Sequence, residues 1–462
     1  MATKGCYLEI INRAFDSINV TCTNSNNNDW ESKKSPQDLY NNKVLDKDLY
    51  YDTKDAEMDG ITNYDGKFSI EISINNKKCC QSFNLKDGRN NITTRKRIIK
   101  KECDCMLFVT MGHSVKRFAS KNKDNSDMGV FRIEVFSLSK RRFGIIADYH
   151  LNDERTNYPK KFITHLKDVR YAPEFIAVCG DLVDNSTKMQ QDQKFASYFT
   201  IPFEDENFMI AEGFGNHDIW IGTGGTDMPR FIEGRNVERW KEKETENKLN
   251  EFSADNITNY PNRHYTWTTI LEKTIEEKTK KMKIHFFMLN NLPGYEGIAE
   301  CKADMDDSQK NGNSPYESLK FLENTLAKID TTDGFKHVAI LFFHLNHNIS
   351  TDWWSDKSKK DYRTVCCNSK IKVLASFFGH KHDHITKYES MIGKVDNGQD
   401  YTIHGVKCAT NNSCEYDNYI TFVDTEITDY GKLEMRVAYI KGDDLKVDDS
   451  NFTKLESLTF DI

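Results

Sequence analysis

From about residue 141 onward the chain carries a series of short apolar runs, most of which end in a cluster of Asp, Asn or His. This rhythm limits the fold more than any bulk property does. The runs are Phe143-Gly144-Ile145-Ile146-Ala147, Phe175-Ile176-Ala177-Val178-Cys179, Phe208-Met209-Ile210-Ala211, Ile284-His285-Phe286-Phe287-Met288-Leu289, Val338-Ala339-Ile340-Leu341-Phe342-Phe343 and Val373-Leu374-Ala375-Ser376-Phe377-Phe378. A strand that is apolar at successive positions must be buried on both faces, as strands of a covered parallel sheet are. A helical pattern intervenes from Glu317 to Lys328. The expected class is α/β, with functional residues at the ends of the strands.

The clusters follow the strands in order. The first run leads to Asp148-Tyr149-His150, the second to Gly180-Asp181-Leu182-Val183-Asp184-Asn185, and the third to Gly215-Asn216-His217-Asp218. His344 follows the fifth and Gly379-His380-Lys381-His382 the sixth. One such residue alone reads as a capping or hydrogen-bonding group. Five clusters at strand ends form a donor set of carboxylate, imidazole and amide oxygen, which suits manganese, iron or zinc better than a soft, thiol-preferring metal. Gly180, Gly215 and Gly379 permit the tight backbone that swings a side chain over the sheet edge.

The succession Asp-x-His, Gly-Asp-x-x-Asp, Gly-Asn-His-Asp, a later His and Gly-His-x-His resembles the calcineurin-like metallophosphoesterase superfamily over roughly residues 141 to 440. Arg263-His264-Tyr265-Thr266-Trp267, followed by the strand Phe286 to Asn290, resembles the usual hairpin of that family. The resemblance implies a four-layer α/β/β/α sandwich and two divalent or mixed-valence metal ions (Mn, Fe or Zn). One ion is expected on Asp148, His150, Asp181 and His382, the other on Asp181, Asn216, His344 and His380, with Asp181 bridging. It implies hydrolysis of a phosphate ester, diester or monoester, by metal-activated hydroxide. His217 is then the expected general acid, with Asp218 as its orienting partner. Asp184 and Asn185 are expected to support Asp181. Purple acid phosphatases carry Tyr at the position of Asp184 and lack the first-cluster His present here as His150, so the pattern sits closer to the diesterases.

At 462 residues the chain is too long for one typical core, and two domains are expected. Residues 1 to 138 alternate in period two, as in Lys67-Phe68-Ser69-Ile70-Glu71-Ile72 and Phe131-Arg132-Ile133-Glu134-Val135-Phe136, and read as a smaller all-β antiparallel sandwich. Residues 139 to 462 form the second domain. A polar stretch at about 221 to 262 reads either as a wall of a substrate pocket or as a solvated insertion. Strands at Tyr401-Thr402-Ile403-His404, Tyr419-Ile420-Thr421-Phe422-Val423 and Leu433-Glu434-Met435-Arg436-Val437 are expected to complete a second sheet.

A net charge of −7 with 29% charged residues argues against a nucleic-acid partner, which needs clustered Lys and Arg with interleaved aromatics. The expected substrate is a small-molecule or headgroup phosphate ester. The N-terminal domain is a candidate to bind a partner, a glycan or a membrane surface. Its basic run, Arg95-Lys96-Arg97 with Lys100-Lys101, reads as a solvated strand rather than an anionic-lipid site. Residues 55 to 66 begin like a calcium loop but end in Gly66 where Glu is required. With 12 cysteines, two adjacent pairs and a chain large enough to fold without staples, reduced thiols are expected, and Cys103-Asp104-Cys105 is given no role. No apolar run reaches the length of a membrane span and no leader-type segment opens the sequence, so a cytoplasmic location is expected. The competing class is a binding or storage protein that keeps the metal site without turnover.

Overall fold

The computed structural model describes residues 4–14, 16–25, 29–30, 43–45, 57–60, 67–84, 94–112, 129–151, 173–183, 197, 209–215, 217–218, 253–254, 264–290, 316–345, 356–380, 382, 387–394, 400–407, 419–441 and 452–461. The chain divides into two units. Met1–Arg141 forms the body of the first, and Arg142–Ile163, Pro173–Glu244 and Leu249–Ile462 form the second.

In the first unit the strands are β1 (Lys4–Arg13), β2 (Ile18–Ser25), β3 (Asp29–Trp30), β4 (Lys43–Leu45), β5 (Glu57–Gly60), β6 (Lys67–Ile74), β7 (Lys77–Asn84), β8 (Thr94–Lys100), β9 (Cys105–Gly112) and β10 (Gly129–Ser137). They form a six-stranded sheet, ordered β3-β5-β1-β10-β9-β8, and a four-stranded sheet, ordered β4-β2-β6-β7. Alternation does the sorting. On β6, Phe68, Ile70, Ile72 and Ile74 point inward and meet Leu8, Leu107, Val109 and Ile133 of the six-stranded sheet in one core. Asn75 and Asn76, at φ of 50° and 65°, close the β6–β7 hairpin as a two-residue left-handed turn. One pairing departs from the antiparallel expectation: β1 runs parallel to β10. The basic run lies on β8, where Arg97 is buried and stacks over the Phe108 ring at 4.6 Å rather than facing water.

Two sheets also make the second unit. Its elements are β11 (Lys140–Ile146), β12 (Phe175–Cys179), β13 (Met209–Gly213), β14 (Ser253–Ala254), β15 (Tyr265–Ile275), β16 (Lys278–Met288), helix α1 (Tyr316–Lys328), β17 (Lys336–Phe342), helix α2 (Asp356–Asn368), β18 (Lys372–Phe378), β19 (Lys387–Lys394), β20 (Asp400–Lys407), β21 (Tyr419–Ile427), β22 (Leu433–Lys441) and β23 (Phe452–Phe460). The six-stranded sheet is ordered β13-β12-β11-β21-β22-β23, and the seven-stranded sheet β14-β15-β16-β17-β18-β20-β19. β11, β12 and β13 are parallel to one another, as are β16, β17 and β18.

The apolar runs are buried on both faces, as their composition requires. Their inner faces pack into a core rich in aromatics, including Phe143, Phe175, Trp267, Phe286, Phe342 and Phe377. On the outer face of the seven-stranded sheet, α1 lays down Leu319, Leu322 and Leu326, a helical stripe at i, i+3 and i+7, and α2 adds Tyr362 and Cys366. A helical layer thus covers one of two stacked sheets. Among the described residues no helix lies on the outer face of the six-stranded sheet. The late strands divide between the sheets, with β20 in the seven-stranded one and β21 and β22 in the six-stranded one. The β15–β16 hairpin turns through Glu276 and Glu277, both left-handed at φ of 46° and 66°, without the Asn or Gly that usually marks such a turn.

No helix among the described residues is long and apolar enough to cross a membrane. Asp184, Asn185 and Asn216 lie outside the described residues, as do most of the 221–262 stretch and of the calcium-like loop.

Candidate metal centre

Parallel strands deliver their carboxyl ends to one edge of a sheet. Asp148 and His150 follow β11, Asp181 follows β12, His217 and Asp218 follow β13, His344 follows β17, and His380 and His382 follow β18. At this edge the backbone leaves the strand path abruptly. Asp148, His150, Asp181 and His380 all adopt left-handed φ, at 51°, 48°, 51° and 74°. Such a conformation costs a non-glycine residue roughly 1–2 kcal/mol, and it persists where the surroundings over-determine it. Here the surroundings are backbone hydrogen bonds between neighbouring loops. The Asp148 N–H donates to the Gly180 carbonyl at 3.1 Å, His150 to Asp181 at 2.9 Å, and Leu151 to Leu182 at 2.9 Å. The glycines are required by contact. A Cβ on Gly215 would collide with Asp181 Oδ1, and one on Gly379 would stand 2.5 Å from Asp148 Oδ2.

The side chains that these loops carry converge in two groups. Asp148, His150, Asp181 and His382 form one; Asp181, His344 and His380 form the other; within each, the ligand-type atoms lie within 4.8 Å of one another. His150 Nε2 is 3.0 Å from His382 Nε2 and 3.6 Å from Asp181 Oδ2. His382 Nε2 is 3.5 Å from Asp148 Oδ1. In the second group, His344 Nε2 is 3.3 Å from Asp181 Oδ2 and 3.2 Å from His380 Nδ1. Asp181 is common to both.

The supporting contacts orient these groups. His344 Nδ1 lies 2.9 Å from the Cys179 carbonyl. A carbonyl only accepts, so Nδ1 carries a proton and Nε2 is turned toward Asp181. The His380 N–H donates to both Asp148 oxygens at 2.9 and 3.0 Å, and the His217 N–H donates to Asp181 Oδ1 at 2.8 Å. The His217 ring stands edge-on to His150 at a centroid distance of 4.6 Å. Asp218 is engaged elsewhere than expected. It is fully buried, and its carboxylate accepts from the Leu182 and Val183 N–H groups at 2.8 and 3.1 Å and from Gly215 at 2.7 Å. It therefore ties the β12 loop to the β13 loop instead of orienting the His217 ring.

A brace missed in the sequence comes from the hairpin. Asn290 Oδ1 accepts from the Phe214 N–H at 2.8 Å, the Asn290 N–H donates to His264 Nδ1 at 3.1 Å, and the Tyr265 hydroxyl donates to the Glu212 carbonyl at 2.8 Å. Together they hold the β13 loop from which His217 projects. The only available signal was the family-like hairpin itself; a carbonyl such as that of Cys179 leaves no mark in side-chain identity.

Burial and mutual charge shape the electrostatics. Burial pulls His150 down to about 4. Burial, then the neighbouring His344, pulls His380 to about 4. His382 is raised, first by its hydrogen bond to Asp148. Burial opposes a charge on His344, yet the Asp181 carboxylate outweighs it and lifts the imidazole to about 9. Burial likewise works to raise Asp181, but His344, His150 and His217 hold it well below the usual carboxylate range. Burial, followed by the charge of Asp181, pushes the Asp218 carboxyl up against its three amide donors. The buried Asp181 carboxylate thus favours a positive charge on His344 against the pull of burial, a preference that a divalent cation also satisfies. Two carboxylates and four imidazoles fit a borderline cation of the manganese, iron or zinc type.

The structure therefore brings together Asp148, His150, Asp181, His344, His380 and His382, with His217 beside them. The sequence model of the family described as calcineurin-like phosphoesterase matches residues 141–384. No curated protein matches the chain. Among solved structures, GAP50, titled the anchor in the inner membrane complex of Plasmodium, is similar with a TM-score of 0.40 and 12% identity over 70% of this chain and 89% of that one. The phosphopantetheinyl hydrolase PptH of Mycobacterium tuberculosis is similar with a TM-score of 0.29 and 13% identity over 59% of this chain and 91% of that one. With its family match spanning more than half of its length, the chain belongs to the calcineurin-like phosphoesterases.

Proposed function

We propose that the protein hydrolyses a phosphate ester, diester or monoester, at a dinuclear metal centre. Asp148, His150, Asp181 and His382 would hold one ion, and Asp181, Asn216, His344 and His380 the other. The observation that carries this reading is that one carboxylate, Asp181, belongs to both ligand groups. A shared carboxylate offsets the repulsion between two cations held about 3.5–4 Å apart. When bound, the ions supply Lewis acidity toward phosphoryl oxygens and a source of hydroxide near neutral pH.

The chain's own residues do the rest. The Cys179 carbonyl and the His380 N–H keep His344 and Asp148 aimed inward. His217, half-buried and beside His150, is placed to give a proton to the leaving oxygen. Asp218 positions the loop that carries His217. We extend this reading to the four-layer α/β/β/α arrangement that the family resemblance implies for the second unit. The first unit would be an all-β module that binds a partner, a glycan or a membrane surface.

The test is turnover of bis-p-nitrophenyl phosphate and of p-nitrophenyl phosphate by manganese-loaded protein, beside Asp181→Asn. We expect wild type to bind two ions and turn over at least one ester, and Asp181→Asn to lose both ions and at least about 10³-fold in rate, since a ligand shared by both metals serves every catalytic role they have. Wild type and variant equally inert with manganese, iron and zinc would leave the binding or storage protein as the surviving reading.

A further inference from the structure

A second convergence of ligand-type side chains lies in the first unit. Cys79 stands on β7, Cys103 in a single 3-10 turn (Lys101–Cys103), and Cys105 opens β9. Contrary to the expectation of reduced thiols throughout, Cys79 and Cys103 are joined as a disulfide, with their Cα atoms 5.7 Å apart across a separation of 24 residues. The sequence gives no hint of this because the two cysteines meet only once β7 packs beside the turn. Cys105 remains a thiol, and its Sγ lies 3.0 Å from Cys103 Sγ and 3.9 Å from Cys79 Sγ. All three are buried, at 7%, 1% and 0% exposure. Strand alternation turns the neighbouring Cys80 outward. Among the described residues no fourth Cys, His, Asp or Glu joins the group.

A structural disulfide needs two sulfurs; the third has to be accounted for. One chemistry for it is attack on the bond. Thiolate attack runs along the S–S axis, and with a bond of about 2.05 Å an attacker 3.0 Å from Cys103 would stand roughly 5 Å from the far sulfur. Cys105 instead lies 3.9 Å from it, so the sulfurs form a triangle and not a row. The other chemistry is a shared ligand, which a triangle suits. The turn is held for it from several sides. Asp104, between the two cysteines, sits at φ 50° and ψ 37°. Its N–H donates to the Lys101 carbonyl at 3.3 Å, its carbonyl accepts from Leu138 at 2.8 Å, and its carboxylate pairs with Lys77.

We propose that, once reduced, Cys79, Cys103 and Cys105 bind one soft, thiophilic cation of the copper(I) class, and that the Cys79–Cys103 disulfide is the metal-free closed form. A dithiol reductant supplies two electrons and two protons to the disulfide, is itself oxidised to a disulfide, and leaves two thiols. Each sulfur–metal bond that then forms releases one thiol proton. Three sulfurs, with no fourth donor among the described residues, favour copper(I) over zinc, whose structural sites are closed by four ligands.

The experiment is an anaerobic titration of the reduced full-length protein with copper(I) in the presence of a competing copper(I) chelator. It is read by sulfur-to-copper charge-transfer absorption, to which the Asp and His centre contributes nothing. We expect one tightly held equivalent in wild type and in Cys80→Ser, and at least a tenfold weaker affinity in Cys105→Ser and in Cys103→Ser. Cys105→Ser keeps the disulfide pair, so an unchanged oxidised melting temperature separates lost binding from lost folding. Wild-type affinity in Cys105→Ser, no copper retained against the chelator, or a disulfide that yields only on unfolding would each overturn the proposal.

Discussion

His217 is half-buried, as the proposed ligands His380 and His382 are, but unlike them it belongs to neither ligand group. A proton donor must reach the leaving oxygen, and a ligand need not. Replacing His217 by Ala is therefore expected to keep both metals while lowering turnover by about 10²–10⁴-fold for an alkyl ester, whose alkoxide must be protonated as it departs. For a p-nitrophenyl ester, which leaves as a stable anion, the loss should be much smaller. Equal losses on the two esters would remove His217 from the acid role. Gly379 offers a different kind of test, because its backbone is not left-handed and only space forbids a side chain. Gly379→Ala places a methyl group 2.5 Å from Asp148 Oδ2 and 2.9 Å from Ala147 Cβ. We expect a stability loss of about 1–3 kcal/mol from overpacking and a 10–100-fold weaker hold on one metal, read by metal content after dialysis. The ligands themselves were legible in the sequence, because carboxylate and imidazole at strand ends are chemically conspicuous. Their supports were not. Asp218 reads as a partner for its neighbour His217 but is claimed by three amides from two loops.

Between elements, β16 and β17 are joined by a polar chain that runs from the buried His285 and His337 to the exposed Asp333 in the turn before β17. His285 Nε2 lies 2.8 Å from His337 Nδ1, and His337 Nε2 lies 2.8 Å from Asp333 Oδ1. Lys283 donates to Asp333 Oδ2 at 2.7 Å. Since the carboxylate only accepts, His337 carries its proton on Nε2, and His285 must donate to the bare Nδ1. Protonating His285 breaks nothing it donates but places a charge in an apolar layer; burial, then His337 and Lys283, hold it down at about 3. The consequence for stability has a definite sign. The unfolded chain takes up a proton on this imidazole below its ordinary 6.5, and the folded chain does not until about 3. Stability therefore falls as pH drops through that window. Asp333 acts in the same sense at lower pH: burial would raise it, but Lys283 and His337 hold it well below the usual range. His285→Gln, which can still donate to His337, should flatten the fall in urea midpoint between pH 6.5 and 3; an unchanged slope would assign acid sensitivity elsewhere. The strands that carry this network were readable as strands because both their faces are apolar. Which strands they pair with was not. β20 and β21 have similar patterns yet enter different sheets, and β1 meets β10 across most of the first unit, since alternation tells which face is buried and not which neighbour buries it.

Over the second unit as a whole, neither sheet holds a complete ligand set. Asp148, His150 and Asp181 issue from the six-stranded sheet, and His344, His380 and His382 from the seven-stranded one. They meet because the sheets are clamped by a shared aromatic core, in which Phe175 of one sheet stands edge-on to Trp267 of the other at 5.1 Å. In the unfolded chain these residues are scattered over more than 230 residues of sequence, from Asp148 to His382, so the proposed cations would find their site in the stacked state alone. Linkage would then make the proposed cations part of the fold's stability: each site would add about 1.4 kcal/mol for every tenfold by which free ion exceeds its dissociation constant. Removing metal with a chelator should lower the melting temperature of wild type, and restoring manganese should bring it back in a concentration-dependent way. Asp181→Asn, with the shared carboxylate gone, should melt at one temperature whatever the metal concentration. A wild-type protein that melts identically with and without chelator would mean that the converging side chains are held by the backbone alone and bind no cation with useful affinity.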